Sequence, residues 1–204
     1  MYSKYIKRIL DVFFSIIFLP FFLILLVFIF PAVKLDDKGP VFYCSRRIGR
    51  NGRIFKMYKF RTMVVNAPDI RREDGSTWNS DDDPRLTRIG RILRKLSIDE
   101  IPQIINIIKG DMSFIGPRPD LPDQLDNYTE DEKDKLKVRP GISGYNQAFF
   151  RNSVPAKQRF INDVFYVNNL TFKLDLKIVL ATFKAVLSHE NVYVKSDNVS
   201  HEIN

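Results

Sequence analysis

The stretch LSIDEIPQIINIIKGDMSFIGPRP, residues 96–119, sets two adjacent carboxylates upstream of an arginine held between two prolines. Pro102 is tolerated only in the first turn of a helix, so a helix begins close to Asp99. Ile101, Ile104, Ile105 and Ile108 then form one buried face, and Gly110 closes it. Asp99 and Glu100 would lie at the positive end of the helix dipole, which favours ionised carboxylates and any nearby phosphate or metal ion. Neighbouring helical residues point about 100° apart, so the two acids are suited to different jobs. One can attack while the other binds a metal or shuttles a proton. Acids are also common at helix starts, and the same spacing fits a plain N-cap at Asp99.

In GPRP, Arg118 stands between Pro117 and Pro119, each fixing its own φ and restricting the residue before it. A stiff loop presenting one guanidinium suits bidentate phosphate recognition; the same residues also fit a rigid bend with a solvated arginine. VRPGISG repeats the device at Arg139, with Gly141 and Gly144 permitting close backbone approach.

Other chemistries are poorly provided for. His189 and His201 both fall in the last 16 residues, so a catalytic triad, a zinc site or a histidine base would have to come from the tail. Cys44 is the only cysteine and cannot form an internal disulfide, which fits a reducing compartment. Neither a P-loop nor a G-x-G-x-x-G fingerprint occurs. Carboxylates, arginines, lysines and a hard metal ion are left to do the work.

Several elements must position these residues. Val12 to Val33 is a run of 22 residues without a charge. As a straight helix it measures roughly 33 Å, long enough for a hydrocarbon core. Pro20 interrupts it, and both flanks are basic: Lys4, Lys7 and Arg8 before it; Lys34, Lys38, Arg46 and Arg47 after it. Cytoplasmic flanks collect Lys and Arg, so the segment reads as a re-entrant helix broken at Pro20, with a single kinked span as the alternative. Residues 1–33 are expected to form this anchor, and 34–204 one cytoplasmic domain. Of the net charge of +8, the first 33 residues carry +2 (Lys4, Lys7 and Arg8 against Asp11) and the rest +6. A basic domain beside a membrane attracts anionic headgroups or phosphorylated substrates.

Asn51-Gly52 between two aromatic and β-branched runs predicts a hairpin with strands near 41–48 and 53–60. No acid lies between Asp37 and Asp69, while Arg46, Arg47, Arg50, Arg53, Lys56, Lys59 and Arg61 accumulate, so an anionic neighbour is expected. Residues 66–84 read as a polar loop in which Trp78 is either an interfacial anchor or ordinary packing. Leu86, Ile89, Leu93 and Leu96 share one arc of a basic amphipathic helix whose opposite arc carries Arg88, Arg91, Arg94 and Lys95. TEDE, 129–132, is a capping box; PAKQRFINDVFYVNN starts a further helix; FKLDLKIVLATFKAVL reads as a core helix; the tail after Ser188 reads as frayed. The fold class is therefore α+β, mainly helical: a re-entrant N-terminal helix, a small β-hairpin and amphipathic interfacial helices around one compact catalytic domain.

KRILD before the proline-broken apolar run, then GPVF, YKFRTM, DDPRLTRIGRILRKLSIDEIPQ, GDMSFIGPRP, RPGISG and LDLKI appear in order. In these blocks nearly the whole chain resembles the small monotopic phosphoglycosyl transferases, bacterial sugar transferases that begin lipid-linked glycan assembly such as exopolysaccharide. The resemblance implies a protein of the bacterial inner membrane with its catalytic domain on the cytoplasmic face. It implies transfer of a sugar 1-phosphate from a UDP-sugar to a polyprenol phosphate, usually undecaprenyl phosphate, with Mg²⁺ and release of UMP. Asp99 would be the nucleophile carrying a covalent phosphosugar and a metal ligand, with Glu100 as its partner. Arg118, Arg139, Arg94, Lys59, Arg61 and Gln147 would bind substrate. The partners expected are the two substrates and membrane lipids, with no nucleic acid. Two departures stand out: Leu19 precedes the membrane proline where relatives often have serine, and Gly144–Asn152 reads GYNQAFFRN where relatives read close to GWAQVNGRN. The competing reading is a non-catalytic adaptor that binds anionic lipid or nucleic acid at the membrane surface.

Overall fold

Apolar residues on every side of the N-terminal segment drive one long helix. In the computed structural model, which describes residues 1–70, 80, 82–150 and 153–188, a π-type turn over Tyr2–Ile6 leads into α1, Lys7–Asp36. Where two pieces broken at Pro20 were expected, α1 is a single element with Pro20 and Pro31 inside it. One stripe of it is buried: Lys7, Asp11, Ser15, Phe22, Ile29 and Val33. Phe13, Ile17, Phe21, Ile24 and Phe28 on the remaining faces are all more than half exposed.

The stripe is tied to the rest of the chain at both ends. Lys7 donates to Asp175 at 2.6 Å, Arg8 to the Ile107 carbonyl at 2.6 Å, and Asp11 accepts from Ser113 Oγ at 2.9 Å and Phe114 N–H at 3.1 Å. At the other end Asp36 accepts the Ile89 N–H at 2.8 Å, and Asp37 pairs with Arg61. Phe22 packs midway against Phe60, which stacks on Phe42 with ring centroids 5.6 Å apart. Burying a ring as fully as Phe60 contributes about 2–3 kcal/mol.

The hairpin forms as its turn chemistry predicts. β1, Phe42–Ile48, pairs antiparallel with β2, Ile54–Phe60, from Phe42↔Phe60 to Ile48↔Ile54. Asn51 and Gly52 both take positive φ, 57° and 76°. α2, Arg88–Lys95, is capped by the Thr87 side chain, which accepts from Gly90 N–H. Leu86 and Leu93 are buried as expected, while Leu96 is 45% exposed because α2 ends before it.

A 3-10 segment, Ile98–Gln103, then feeds α3, Ile104–Lys109, which Gly110 closes at φ 89°. The expected buried face shifts accordingly. Three residues per turn in the first part rotate the helix, so Ile104 and Ile107 are buried and Ile108 is 38% exposed. Nor is Asp99 an N-cap: Ser97 holds that place, at φ 56°.

β3, Ser113–Ile115, and β4, Gly141–Ser143, form a short parallel pair. Between them the capping box is realised in full, Thr129 N–H donating to Glu132 and Glu132 N–H to Thr129 Oγ1, although the helix it opens, Glu132–Lys137, is 3-10. α4 (Tyr145–Phe149), α5 (Ala156–Asn168) and α6 (Phe172–Ser188) complete the described chain. α6 is not the core helix its composition predicts. Ile178 is fully buried, yet Phe172, Leu176, Leu180 and Phe183, spaced along the opposite face, are 47–65% exposed. Trp78, both histidines and the tail after Ser188 lie outside the described residues.

Candidate active site

The hairpin register sorts the basic run into two faces. Directly opposed residues of an antiparallel pair share a face, so Tyr43, Ser45 and Arg47 lie on the same side as Lys59, Met57 and Phe55. Arg46 and Lys56 take the other side and are exposed. Lys59 thereby reaches both acids: its Nζ lies 2.5 Å from Glu100 Oε1 and 3.7 Å from Asp99 Oδ2. Arg118 Nη1 stands 3.8 Å from the same Glu100 oxygen, with its side chain 59% exposed. Arg94, on α2, donates to Thr62 Oγ1 at 2.9 Å, and its charge acts on Asp99.

Asn106 holds the two halves of this cluster together. It is fully buried in α3, accepts the Tyr58 N–H at 3.0 Å and donates to the Lys56 carbonyl at 2.7 Å, so one amide clamps β2 to the element that follows Asp99 and Glu100. The sequence signal for it was a lone polar residue inside an isoleucine run. Asn106→Leu leaves a buried N–H and a buried carbonyl unpaired, each costing about 1–3 kcal/mol. A thermal melt of that variant in detergent should show a midpoint several degrees below the wild-type value.

The arginine loop is fixed from two sides. Gly116 N–H donates to the Ser143 carbonyl at 2.8 Å and Gly141 N–H to the Pro117 carbonyl at 2.9 Å. A Cβ on Gly141 would stand 2.1 Å from Gly116 N, and one on Gly144 2.1 Å from Gly116 O, so the close approach expected of both glycines is real. Beyond Arg118, Asp120 accepts from Lys135 and from Tyr128 O–H, each at 2.6 Å, and Lys135 also pairs with Asp163 at 2.8 Å. Asp120, Lys135 and Asp163 were not singled out from the sequence. They are ordinary charged residues there, and only their convergence under the loop marks them.

Among the described residues, the three others expected to bind substrate make no hydrogen bond or ion pair with the acids. Arg61 is buried and donates to the Asp37 carboxylate and to the Asp37 and Pro40 carbonyls, closing the connection from α1 to the hairpin instead of facing the acids. Arg139 donates to the Gly110 carbonyl at 2.8 Å, and its charged neighbours are Arg8, Arg50 and Asp11. Gln147 lies beside Gly144, and both of its amide atoms are buried without a partner among the described residues.

The acid pair is electrostatically divided. Burial pushes Asp99 above the usual aspartate value, Lys59 opposes this, and the Glu100 charge adds to it. Burial also works against Glu100, but Lys59 and Arg118 outweigh it and hold that carboxyl down at about 2. Glu100 is thus a fixed negative charge that anchors two cations, and Asp99 a desolvated carboxylate with no hydrogen bond among the described residues. Such a carboxylate is a competent nucleophile. Glu100, so acidic, is poorly suited to shuttling protons. Among the described residues no cluster of three or more His, Cys, Asp or Glu forms. Two carboxylates nonetheless match the way Mg²⁺ is held, by one or two acids with phosphate oxygens and water completing the shell.

The fold thus seats a long apolar helix on a domain that carries a lysine-bridged acid pair, with Arg118 beside it. A family model described as bacterial sugar transferase matches residues 2–189, and the chain belongs to that family. It is similar to the undecaprenyl-phosphate galactose phosphotransferase of Salmonella typhimurium, 38% identical over 202 residues that cover 94% of this chain and 42% of that protein. It is also similar to the sugar transferase EpsL of Bacillus subtilis, 42% identical over 92% of this chain and 90% of that protein. ExoY of Rhizobium meliloti, an exopolysaccharide production protein, is 41% identical over 92% of this chain and 88% of its own length. The chain thus spans about two fifths of some curated relatives and about nine tenths of others.

Proposed function

We propose that this protein transfers a sugar 1-phosphate from a UDP-sugar to a polyprenol phosphate, releasing UMP. The observation that carries the reading is the desolvated Asp99 carboxylate beside Lys59, Glu100 and Arg118, in a chain whose relatives include undecaprenyl-phosphate sugar phosphotransferases. An Asp99 oxygen attacks the phosphorus that bears the sugar, and the bond to the UMP phosphate oxygen breaks, UMP leaving with the electron pair. An acceptor phosphate oxygen then attacks the same phosphorus and expels Asp99, giving a polyprenyl diphosphate sugar. Splitting one transfer between two bulky substrates into two displacements at one carboxylate lowers each barrier.

Lys59, Arg94 and Arg118 hold phosphate oxygens, and the amide of Gln147, without a partner among the described residues, offers a donor and an acceptor to the substrate. Arg61 and Arg139 have no part in this reading. Asp99, with Glu100 beside it, would hold Mg²⁺, which when bound offsets the charge repulsion between phosphate and carboxylate.

The membrane path is re-entrant in the same reading. Lys7, Arg8 and Asp11 at one end of α1 and Asp36 at the other all bond to a single domain, which supports both ends lying on one side of the bilayer. The exposed apolar faces of α1 and α6 supply surface for lipid.

The test is UMP release by the purified protein with Mg²⁺ and a panel of UDP-sugars, first without lipid acceptor. A burst near one UMP per protein, a phosphosugar on the Asp99 peptide by mass spectrometry, and loss of both after EDTA treatment are the expected results. Release unaffected by EDTA would remove the metal, and turnover only with acceptor present would replace the covalent step with direct transfer.

A further inference from the structure

Arg118 owes its place to the loop that carries it and not to its own bonds. Pro117 and Pro119 on either side are buried, while the Arg118 side chain is exposed. Among the described residues the guanidinium makes no hydrogen bond, and its one ion pair is the 3.8 Å contact with Glu100. A functional side chain held so loosely points where the residues behind it point it. Before Arg118 the loop is pinned through backbone alone, by Gly141 N–H on the Pro117 carbonyl at 2.9 Å. After Arg118 both parts of Asp120 are engaged. Its carbonyl accepts the Ile48 N–H, at the end of β1, at 3.0 Å, and its carboxylate accepts from Lys135 and from Tyr128 O–H, each at 2.6 Å.

Those two partners are themselves fixed. Tyr128, 6% exposed, packs edge-on against Phe160 of α5 with ring centroids 5.4 Å apart, and Lys135 pairs with Asp163 of the same helix at 2.8 Å. Asp120 thus ties β1, the 3-10 helix Glu132–Lys137 and α5 to a point two residues from Arg118. We propose that Asp120 is a positioning residue: through Tyr128 and Lys135 it holds the 117–120 loop so that Arg118 stays within reach of Glu100 and of the donor's phosphates. This rests on the phosphotransfer reading above and adds to it the anchor that sets the aim of Arg118. Asp120 itself needs no contact with substrate. Hydrogen bonds to an ionised carboxylate are short and strong, and a reacting group misplaced by about 1 Å loses up to about 100-fold in rate.

The test compares wild type, Asp120→Ala, Arg118→Gln and the double variant, each full-length in detergent. kcat/KM for UMP release from a UDP-sugar, with Mg²⁺ and lipid acceptor, should fall about 10- to 100-fold in Asp120→Ala. In the Arg118→Gln background the same change should cost less than about threefold, because no guanidinium is left to aim. Hydrogen exchange gives a readout apart from activity. The Ile48 amide, bonded to the Asp120 carbonyl, should exchange faster in Asp120→Ala, while the Tyr58 amide, bonded to Asn106, stays as protected as in wild type. Equal losses in the two backgrounds would make Asp120 a residue of the fold at large and reject the proposal, as would unchanged exchange at Ile48. If Asp120→Ala exposes the Tyr58 amide as well, Tyr128→Phe, which keeps the ring against Phe160, makes the same comparison with a smaller loss. Wild type that releases no UMP from any UDP-sugar overturns the transfer reading. Faster exchange at Ile48 would then still uphold the anchor, and unchanged exchange would overturn it.

Discussion

Asp99→Asn should abolish the phosphosugar adduct and lower sugar-phosphate transfer by at least about 10³-fold, the scale of losing a covalent nucleophile. The swap keeps the shape of the side chain and removes only the charge. Because burial holds the Asp99 pKa above its unfolded value of 3.8, the ionised form is disfavoured in the folded protein. Between 3.8 and the raised value the folded state binds more protons than the unfolded one, so this group's effect on stability becomes less favourable as pH rises through that window. Neutral asparagine lacks that penalty, and the variant should melt no earlier than wild type. Dead enzyme with an unchanged or higher melting point separates a lost nucleophile from a lost fold. The same shift places the acid limb of UMP release in the wild type above pH 3.8, with activity falling as pH drops through it. Substantial turnover by Asp99→Asn would take the residue out of the mechanism.

Lys135→Met should be the most destabilising change near the site, by about 3 kcal/mol, because it strands the buried Asp163 carboxylate and the partly buried one of Asp120. Lys135 is 5% exposed, sits between Asp120 and Asp163, and lies 4.9 Å from the Phe160 ring centre. In the intact network burial works against Asp120, but Lys135 and Tyr128 hold its pKa below 3.8, whereas burial pushes Asp163 above it. Asp120 therefore contributes stability that is present above pH 3.8 and lost as pH falls through its lowered value. Without the lysine both carboxylates should titrate high and shed their penalty on protonation. The gap between variant and wild type should thus narrow from about pH 7 to about pH 4, which urea unfolding at the two pH values would show. Lys135→Arg should recover most of the stability. A gap that stays constant with pH would mean that lost packing, not stranded charge, sets the cost.

The chemistry of the site was legible to the extent that it was local. Asp99, Glu100 and the proline-flanked Arg118 are within one short stretch, and Asn51-Gly52 declares its hairpin because only residues tolerant of positive φ fit that turn. Thr129 and Glu132 find each other three residues apart, so their capping box could be read directly. The apolar run of α1 was equally plain, since composition alone requires it to be helical and shielded from water. The error at α6 has the same root. Composition reports how apolar a helix is, and it does not report which neighbours are present to cover it, so Leu180 and Phe183 were assigned to a core that does not extend over them.

The sequence by itself determined the elements, the acid pair and the resemblance to bacterial sugar transferases. Only the tertiary structure decided which cations serve that pair. Lys59 meets Glu100 across 41 residues, while Arg61, two positions further along, turns to Asp37. Both stood in one basic run, and a single-residue shift of the hairpin register would have exchanged its faces. The roles of Asn106 and Lys135 went unread for a related reason: the value of a buried polar group lies in the partners that converge on it, and those come from β2 in one case and from Asp120 and Asp163 in the other. Propensity and periodicity act over a few residues, so they write the helices, strands and turns into the chain. Contacts between distant side chains exist only once those elements have packed, and it is packing that turns a run of basic residues into a site.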